Sequence, residues 1–588
     1  MDLKSFYSTK VDQHSRSVRG LKTNLRRLSF IRLLVFLSTA FAVYKISFKP
    51  IYVIVVLTCG VLIFLALLLR YLKHKKTLAI EEALLKINKD ELRVIDGDFY
   101  FKNEGLEFQD GNHDYSLDID LFGRGSFFQN IDRTQTNSGA LELANLLKAN
   151  KIKNIIKRQD AIKELSQKTD WRQNYQATAS LIEVQHKTKD VVSWLNNYHS
   201  KLPKFSLILG YGFTVLTLII IGLTAAKQIP ISLIGYLLLV GLGISGIYVK
   251  RINYLATYTS KIKDTFKQFS TLLEAIENES FTSDLLQEQQ ALIQNETEKA
   301  SLIFKQFSKY LNALDNRNNL IGAIFGNGYF LTDLRHAYRI EQWICKNNNT
   351  VDQWFKTITF FEAYHSFGTY AFNHPNFVFP SVVADKSSIK ATNLGHPLLD
   401  ETKRVSSDLH IDNQQFFIVT GANMAGKSTF LRTVSLHIVM ANVGLPVCAT
   451  KSDYYPIKLI TSMRTTDNLT DDSSYFFSEL TRLKYVVDAI KKDTYFIILD
   501  EILKGTNSKD KAEGSHKFIE KLVATNATGI IATHDLSLCT IEDDLKAVKN
   551  YYFDAEIVND ELFFDYKFKK GICQNMNASF LLKKMEIV

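Results

Sequence analysis

The chain has 588 residues, of which 46% are hydrophobic and 22% charged, and its formal net charge is +10 at pH 7. This length exceeds what a single hydrophobic core supports, so several domains are expected. The basic charge favours an anionic partner such as nucleic acid or the inner face of a membrane, and a merely soluble basic surface is the plainer alternative. The five cysteines include no CxxC pair, which favours a reducing compartment and argues against a zinc site or a disulfide framework.

Four apolar segments predict two transmembrane hairpins, at residues 28–72 and 205–249. Residues 51–69 carry no charge, and as a helix they would span about 28 Å, close to the hydrocarbon thickness of a bilayer. The segment at residues 28–44 has Arg32 near its start, where an arginine can reach the headgroups. Buried core helices are the alternative interpretation, but these segments are long and have no polar face.

The positions of lysine and arginine predict that almost the whole protein faces the cytoplasm. Basic residues are frequent in residues 1–27, which we expect to be a cytoplasmic tail, and they follow the second and fourth apolar segments. The loops left outside are only "KISFKP" and "KQ". No cleavable signal is apparent. We therefore expect a multi-pass protein of the inner (cytoplasmic) membrane, with its other domains in the cytoplasm.

Two polar regions, residues 73–204 and 250–379, have apolar residues at helical spacing. We expect them to form the two halves of one helical core and lever region, interrupted by the second hairpin. The tract at residues 274–307 suits either a solvated coiled coil or a partner-binding arm. From residue 380 to residue 588, short β-branched and aromatic segments alternate with helical ones, which is typical of an α/β domain.

A phosphate-binding loop follows the predicted strand "FFIVT" of this domain. The next residues, "GANMAGKS", fit the pattern G-x-x-x-x-G-K-[ST] and precede a helical segment, which is the context that the motif requires. In such a loop the backbone N–H groups surround the phosphates, the lysine (Lys427) reaches the β and γ phosphates, and the serine (Ser428) ligates Mg²⁺. The predicted ATP-binding residues are Gly421, Ala422, Asn423, Met424, Ala425, Gly426, Lys427, Ser428 and Thr429.

Two further strands end in residues suited to ATP hydrolysis. The strand "YFIILDE" places Asp500 to hold Mg²⁺ together with Ser428, and Glu501 to orient or deprotonate the attacking water. The strand "GIIATHD" places His534 just past its C-terminal end, where ligands of parallel sheets bind. A sensor of the γ-phosphate is the favoured role of His534, and a polar strand cap is the alternative. The sequence therefore predicts a Mg²⁺-dependent ATPase with a P-loop.

The order and spacing of "TGANMAGKSTFLR", "DEILKGTNSKD" and "ATHD" resemble the ATPase domain of the MutS family of DNA mismatch repair proteins, a branch of the ABC-type ATPases. The segment "MRTTDNLTDDSSYFFSEL" resembles the signature of that family, and "NLGHPLL" resembles its histidine-proline element. The resemblance implies a homodimer in which Ser474, with Ser473 adjacent, reaches the γ-phosphate of the other subunit. Residues 118–165, including Asp132 and Arg133, resemble the start of the MutS core domain.

The chain also departs from the family pattern. Ala422 and Ala425 stand where the family usually has proline and glycine, and no bulky aromatic residue precedes "VSSDLHI" to stack on adenine. The N-terminal mismatch-reading domain is absent, and the second hairpin lies where the family has its DNA clamp. Lys504 and Asp510 either communicate between subunits or are surface charges in a turn.

Two functions therefore remain open. The first is a membrane-anchored MutS-like ATPase coupled to DNA binding in mismatch repair or DNA maintenance. The alternative is an ATP-driven conformational machine at the membrane that acts on a protein or lipid partner without nucleic acid. In both, ATP closes the dimer, and hydrolysis assisted by Glu501 reopens it.

Overall fold

The architecture is given by a computed structural model, which describes residues 2–182, 188–294, 298–315, 317, 319–384, 387–422, 424–464, 475–558 and 561–574. The chain begins with two long helices, α1 (Leu3–Lys45) and α2 (Pro50–Ile95), which pack against each other as a hairpin. The residues expected to form the basic N-terminal tail, 1–27, are helical from Leu3, where α1 starts. The reason is local, because the side chain of Asp2 caps the helix by accepting hydrogen bonds from the N–H groups of Lys4 and Ser5.

The prediction of helices is wrong for residues 96–126, which belong to the first of the two polar regions. They form turns and one short 3-10 segment, Leu106–Phe108. Gly97, Gly105 and Gly123 in this stretch have positive φ angles, a conformation that cannot continue a right-handed helix. Helical structure resumes with α3 (Phe127–Ile131), α4 (Asn137–Lys148), α5 (Ile155–Gln167), α6 (Thr169–Ser180) and α7 (Thr188–Asn196).

The second hairpin consists of α8 (Ser206–Ala225) and α9 (Ser232–Glu277). The helix α9 is continuous from the apolar segment into the following polar region, through the expected boundary at residue 249. It is followed by α10 (Asp284–Ala291), α11 (Ala300–Asp315), α12 (Leu320–Phe330) and α13 (Thr332–Asn373).

All four apolar segments predicted from the sequence lie within the helices α1, α2, α8 and α9. By length and composition these four helices could each cross a membrane, and their most apolar stretches are at most 17% buried against the rest of the chain. Such exposure of apolar surface is unusual for a soluble monomer. Membrane spanning itself stays a prediction.

The C-terminal region is α/β, as predicted. Its main sheet has the strand order β12-β9-β4-β8-β7-β6, in which β9, β4, β8, β7 and β6 are parallel and β12 is antiparallel to β9. These strands are β4 (Phe416–Gly421), β6 (Lys458–Ser462), β7 (Tyr495–Asp500), β8 (Thr528–Ala532), β9 (Val548–Phe553) and β12 (Lys569–Lys570). The helices of the region are α14 (Lys427–Val443), α15 (Tyr475–Ile490), α16 (Ser508–Ala524) and the short α17 (Ile541–Asp544).

A second sheet has four strands: β1 (Ser381–Val382), β2 (Ser387–Leu394), β3 (Ser407–Asp412) and β5 (Lys451–Tyr454). Their order in the sheet is β1-β5-β2-β3. A small hairpin of β10 (Glu556–Val558) and β11 (Glu561–Phe563) follows β9. The fold is thus a mostly helical chain with a C-terminal α/β region.

The helix α13 joins the helical part to the α/β region and is buried along most of its length. The carboxylate of Glu362 on α13 accepts hydrogen bonds from the N–H groups of Gln135 and Thr136, at 2.9 and 3.1 Å. Arg133, in the same loop, forms a buried ion pair with Glu91 at the end of α2. The loop that resembles the start of the MutS core therefore links α2 to α13.

Candidate functional site

The loop between β4 and α14 has the backbone of a phosphate-binding loop. All residues of β4 are buried, so its end is held firmly. Gly421 has a φ of +147°, and a Cβ atom on it would lie 2.6 Å from the carbonyl oxygen of Phe553. Gly426 has a φ of +106° and is the N-cap of α14. A positive φ is strained for a residue with a side chain, and at Gly421 a Cβ atom would also clash with Phe553. These two constraints explain why the motif has glycine at both positions.

Lys427 is folded back onto this loop. Its Nζ donates hydrogen bonds to the carbonyl oxygens of Gly421 and Ala422, at 2.8 and 2.9 Å, and lies 3.2 Å from Nε2 of His534. Burial lowers the pKa of Lys427, and the neighbouring carboxylates of Asp500 and Glu501 act in the opposite direction. A buried ammonium held by weak carbonyl acceptors is well suited to bind an anion in their place.

Ser428 and Asp500 come together from α14 and from the end of β7. The Oγ of Ser428 donates a hydrogen bond of 2.8 Å to Oδ2 of Asp500. Burial raises the pKa of Asp500, and this hydrogen bond opposes the shift. Among the residues that the structure describes, no three His, Cys, Asp or Glu side chains cluster as a metal site. A cation held here would need oxygen ligands from water and from a bound phosphate, as Mg²⁺ commonly uses.

Glu501 and His534 form the third part of the site. Oε1 of Glu501 lies 2.9 Å from Nε2 of His534, and Lys504 lies 3.8 Å from the other carboxylate oxygen. The hydrogen bond from His534 is the largest cause that lowers the pKa of Glu501 to about 2, against the effect of burial. A carboxylate with so low a pKa is a weak base, so in this arrangement it is better suited to orient a water molecule than to deprotonate it.

The backbone of Glu501 is also unusual. Its φ is +49°, and its N–H donates a hydrogen bond of 2.9 Å to the carbonyl oxygen of Ala532 at the end of β8. A left-handed conformation is costly for a residue with a side chain, and it is typical of functional positions. The conformation turns the chain sharply at the end of β7, and the carboxylate of Glu501 lies beside His534.

These groups line one cleft with a volume of about 580 Å³. Of the predicted site residues, the cleft is lined by Ala422, Met424, Gly426, Lys427, Ser428, Thr429, Asp500, Glu501 and His534. Gly421 and Ala425 belong to the same loop and shape its backbone. Asn423, Ser473 and Ser474 lie outside the described residues, so the predicted contribution of Ser474 to the partner's site stays a prediction.

Sequence reasoning missed the outer wall of the cleft. Tyr566, Leu399 and Val405 line it, and Tyr566 is well exposed. The ring of Tyr566 lies 3.2 Å from the position that a Cβ atom on Gly426 would take. No motif marks Tyr566, which follows β11 far from the loop in the chain. Tyr566 supplies an aromatic ring beside the phosphate loop. The sequence has no such ring just before Val405, where one was sought to stack on adenine.

Two contacts fix the ends of the segment that contains Ser474. On its N-terminal side, the carboxylate of Asp118 accepts hydrogen bonds from Thr461 Oγ1 and from the N–H groups of Met463 and Arg464. On its C-terminal side, the buried carboxylate of Glu479 accepts hydrogen bonds from the N–H of Lys504, at 3.0 and 3.3 Å. Asp118 therefore holds the described residues that precede this segment, and Glu479 connects those that follow it to the loop after Glu501.

Comparison with known proteins identifies the domain that carries this site. Residues 417–584 match the family model of MutS domain V. The C-terminal domain belongs to the MutS family. Similar proteins include MutS protein homolog 4 of Homo sapiens, which is 30% identical over 203 residues, and the DNA mismatch repair protein MutS of Methanococcoides burtonii, which is 32% identical over 205 residues. The DNA mismatch repair protein MutS of Staphylococcus haemolyticus is 29% identical over 241 residues.

The similarity to MutS confirms the resemblance found in the motifs, and it is confined to part of each protein. The aligned regions cover 33%, 33% and 40% of this chain, and only 21%, 23% and 27% of the three relatives. The matched residues contain the β4–α14 loop, Asp500, Glu501, His534 and Tyr566. Two thirds of the residues that line the cleft therefore lie within the match, and the others lie before it, at residues 394–407.

Proposed function

We propose that this chain is a membrane-anchored MutS-like ATPase that binds and hydrolyses ATP, with Mg²⁺, in a composite site of a homodimer. The observation that carries the proposal is the convergence of Lys427, Ser428, Asp500, Glu501 and His534 in one cleft. Its volume of about 580 Å³ is within the range of about 300–1,000 Å³ typical of small-ligand sites.

The residues present fit MgATP. Lys427 would exchange its two carbonyl acceptors for phosphate oxygens, which are stronger acceptors because they are charged. Ser428 and Asp500 would hold Mg²⁺, which neutralises phosphate charge when bound. Glu501 would orient the attacking water, and His534, which contacts both Lys427 and Glu501, would respond to the γ-phosphate. Tyr566 would stack on the base, since an exposed aromatic ring is a suitable platform for it.

Two variants test this assignment. Lys427→Ala should abolish measurable ATP binding, because it removes the only lysine of the phosphate loop. Glu501→Gln should bind ATP with unchanged affinity and hydrolyse it about a hundredfold more slowly, because a misplacement of the attacking water by about 1 Å has an effect of this size. Binding is measured with a fluorescent ATP analogue and turnover by phosphate release. Equal turnover in Glu501→Gln and the parent protein would disprove the role of Glu501.

The membrane part of the proposal is supported by the four apolar helices and by the position of basic residues near their ends. In this arrangement the helical and ATPase domains face the cytoplasm at the inner membrane. The continuity of α9 and the long α13 would transmit nucleotide-driven closure to the membrane helices. Membrane fractionation after carbonate extraction tests the anchoring, and recovery of the full chain in the soluble fraction would refute it.

DNA is the proposed ligand of the first candidate function, because two of the relatives are named DNA mismatch repair proteins and the chain has a net charge of +10. Phosphate-directed binding predicts an affinity for duplex or branched DNA that falls steeply with salt. Filter binding at low salt tests it. Absence of affinity for homoduplex, mismatched and branched DNA alike would exclude this function.

The second candidate function is a conformational machine that acts on a protein or lipid partner without nucleic acid. The continuity of α9 from the apolar hairpin into the helical region favours it. Stimulation of ATP hydrolysis separates the two candidates, because DNA should stimulate the first and lipid vesicles the second. The rate of ATP hydrolysis by the purified full chain is measured in the presence of each DNA and in the presence of vesicles alone.

A further inference from the structure

The helix α12 is a fifth apolar helix, too short to cross a membrane. One face of it is largely exposed: Leu320 is 73% exposed, Ile321 70% and Phe325 52%. The opposite face packs against α8 and α9. The depth at which α12 contacts these two helices determines which medium its exposed face meets.

The C-terminal end of α12 contacts α9 and α8 near the middle of their apolar segments. A Cβ atom on Gly241 would lie 2.1 Å from the carbonyl oxygen of Gly328, so the two backbones touch. Gly241 is about 14 Å along α9 from Ser232, at 1.5 Å per residue. On α8, Thr217 Oγ1 donates a hydrogen bond of 2.7 Å to the carbonyl oxygen of Tyr329. Both contacts correspond to roughly half of a hydrocarbon core about 30 Å thick.

The N-terminal end of α12 begins at the cytoplasmic level of α9. Arg317, just before the helix, donates a hydrogen bond of 2.6 Å to Oδ1 of Asn253, which follows the basic pair Lys250 and Arg251. The rise along α9 from Gly241 to Asn253 is about 18 Å, and the length of α12 is about 17 Å. The helix therefore runs the whole way from the cytoplasmic surface level to mid-depth.

We propose that α12 and the first turns of α13 form a re-entrant hairpin, which enters the membrane from the cytoplasmic side, turns at Leu331 near mid-depth and returns. Its exposed face is covered by lipid hydrocarbon, because it lies beside the apolar segments of α8 and α9 at the same depth. The proposal rests on the membrane insertion of α8 and α9 proposed above.

In a chain reversal at membrane depth the polar backbone groups need hydrogen-bond partners within the protein, and several groups of this turn have them. Leu331, with a φ of +46°, is fully buried. The carbonyl oxygen of Phe330 accepts a hydrogen bond from Thr214 Oγ1 at 3.4 Å, and Oδ1 of Asn327 accepts one from the N–H of Asp333 at 2.9 Å. The carboxylate of Asp333 itself lies 3.6 Å from Nε of Arg317, so its charge is paired.

The return path ends at the cytoplasmic end of α8. Arg335 packs on Gly210, where a Cβ atom would lie 2.3 Å from Cγ of the arginine. Arg339, one turn later, donates a hydrogen bond to the hydroxyl of Tyr211. Arginines at this level suit the interface on the cytoplasmic side. Because α13 continues to Asn373 beside the α/β region, a single helix would connect mid-membrane to the ATPase domain.

Depth-dependent fluorescence quenching tests the proposal. Phe325→Trp, in the full chain reconstituted in vesicles, should be quenched by lipids brominated along their acyl chains, after subtraction of the signal of the parent protein with its native tryptophans. Leu302→Trp, at an exposed position of α11 far from the apolar segments, should show no such quenching. Leu239→Trp, on the exposed side of α9 near the depth of Gly241, reports whether the hairpin itself is inserted.

The three outcomes are distinguishable. Quenching of Leu239→Trp and Phe325→Trp together, without quenching of Leu302→Trp, supports the re-entrant hairpin. Quenching of Leu239→Trp alone overturns the re-entrant hairpin and leaves the membrane anchor intact. If neither is quenched, the membrane anchor proposed for α8 and α9 fails, and the inference fails with it.

A matched pair of glycines tests the packing of α12 on α9. Gly241→Ala would force the new Cβ atom into the backbone of Gly328, whereas Gly243 has no atom within 4 Å of its Cβ position. In the Phe325→Trp background, Gly241→Ala should therefore change the depth profile of quenching, and Gly243→Ala should leave it unchanged. Identical profiles for both variants would show that α12 does not pack at Gly241.

Discussion

Replacing Asp118 by alanine should loosen the end of β6 and the residues that follow it. The carboxylate is 5% exposed and accepts hydrogen bonds from Thr461 Oγ1 (2.6 Å), Met463 N–H (3.1 Å) and Arg464 N–H (2.9 Å). The hydroxyl of Thr461 has a second acceptor, the carbonyl oxygen of Asp114 at 3.3 Å, so two backbone N–H groups lose their partner. At about 1.5 kcal/mol for each hydrogen bond to a charged group, the local opening free energy should fall by about 3 kcal/mol.

Hydrogen–deuterium exchange at the amides of Met463 and Arg464 measures this change, since about 3 kcal/mol corresponds to roughly 100-fold faster exchange. Asp120 provides a matched control in the same loop. Its exposed carboxylate binds the side chain of Arg464 through hydrogen bonds of 2.5 and 2.8 Å. Exposed ion pairs contribute about 0–1 kcal/mol, so Asp120→Ala should accelerate exchange by less than about fivefold. Equal acceleration in both variants would refute the reasoning from burial.

Two further predictions concern the cleft and the helical region. Tyr566→Ala should raise KM for ATP about tenfold with little change in kcat, because stacking on an aromatic ring contributes roughly 1–3 kcal/mol per base. Tyr566→Phe keeps the ring and should therefore retain the KM of the parent protein. An unchanged KM in Tyr566→Ala would exclude Tyr566 as the wall for the base. Burial is the main cause that raises the pKa of Glu362 from 4.5 to about 7, so between these pH values the folded state keeps a proton that the unfolded chain has released. The free energy of unfolding should therefore fall as pH rises from about 4.5 to 7, and Glu362→Gln should lack this pH dependence in thermal unfolding. The same pH dependence in both proteins would contradict the raised pKa of Glu362.

Features that depend only on neighbours in the chain could be predicted from the amino-acid sequence. The phosphate loop could be predicted from eight consecutive residues because its two glycines, lysine and serine act on a single turn. The four apolar segments were evident because an apolar helix of this length needs no information beyond its composition. The C-terminal α/β region followed from the alternation of strand and helix patterns, which is also a local property.

Contacts between residues that are distant in the chain became evident from the three-dimensional fold. The contact of Tyr566 with the phosphate loop, and that of Asp118 with the end of β6, join positions with no shared sequence pattern. Residues 96–126 are not helical because Gly97, Gly105 and Gly123 adopt positive φ angles. The spacing of apolar residues does not reveal these angles. The position of α12 against α8 and α9 is likewise set by packing, through contacts such as that of Gly328 with Gly241. The contacts of Tyr566, Asp118 and α12 have one physical reason in common: periodicity reports which face of an element is apolar, whereas long-range packing decides what that face contacts.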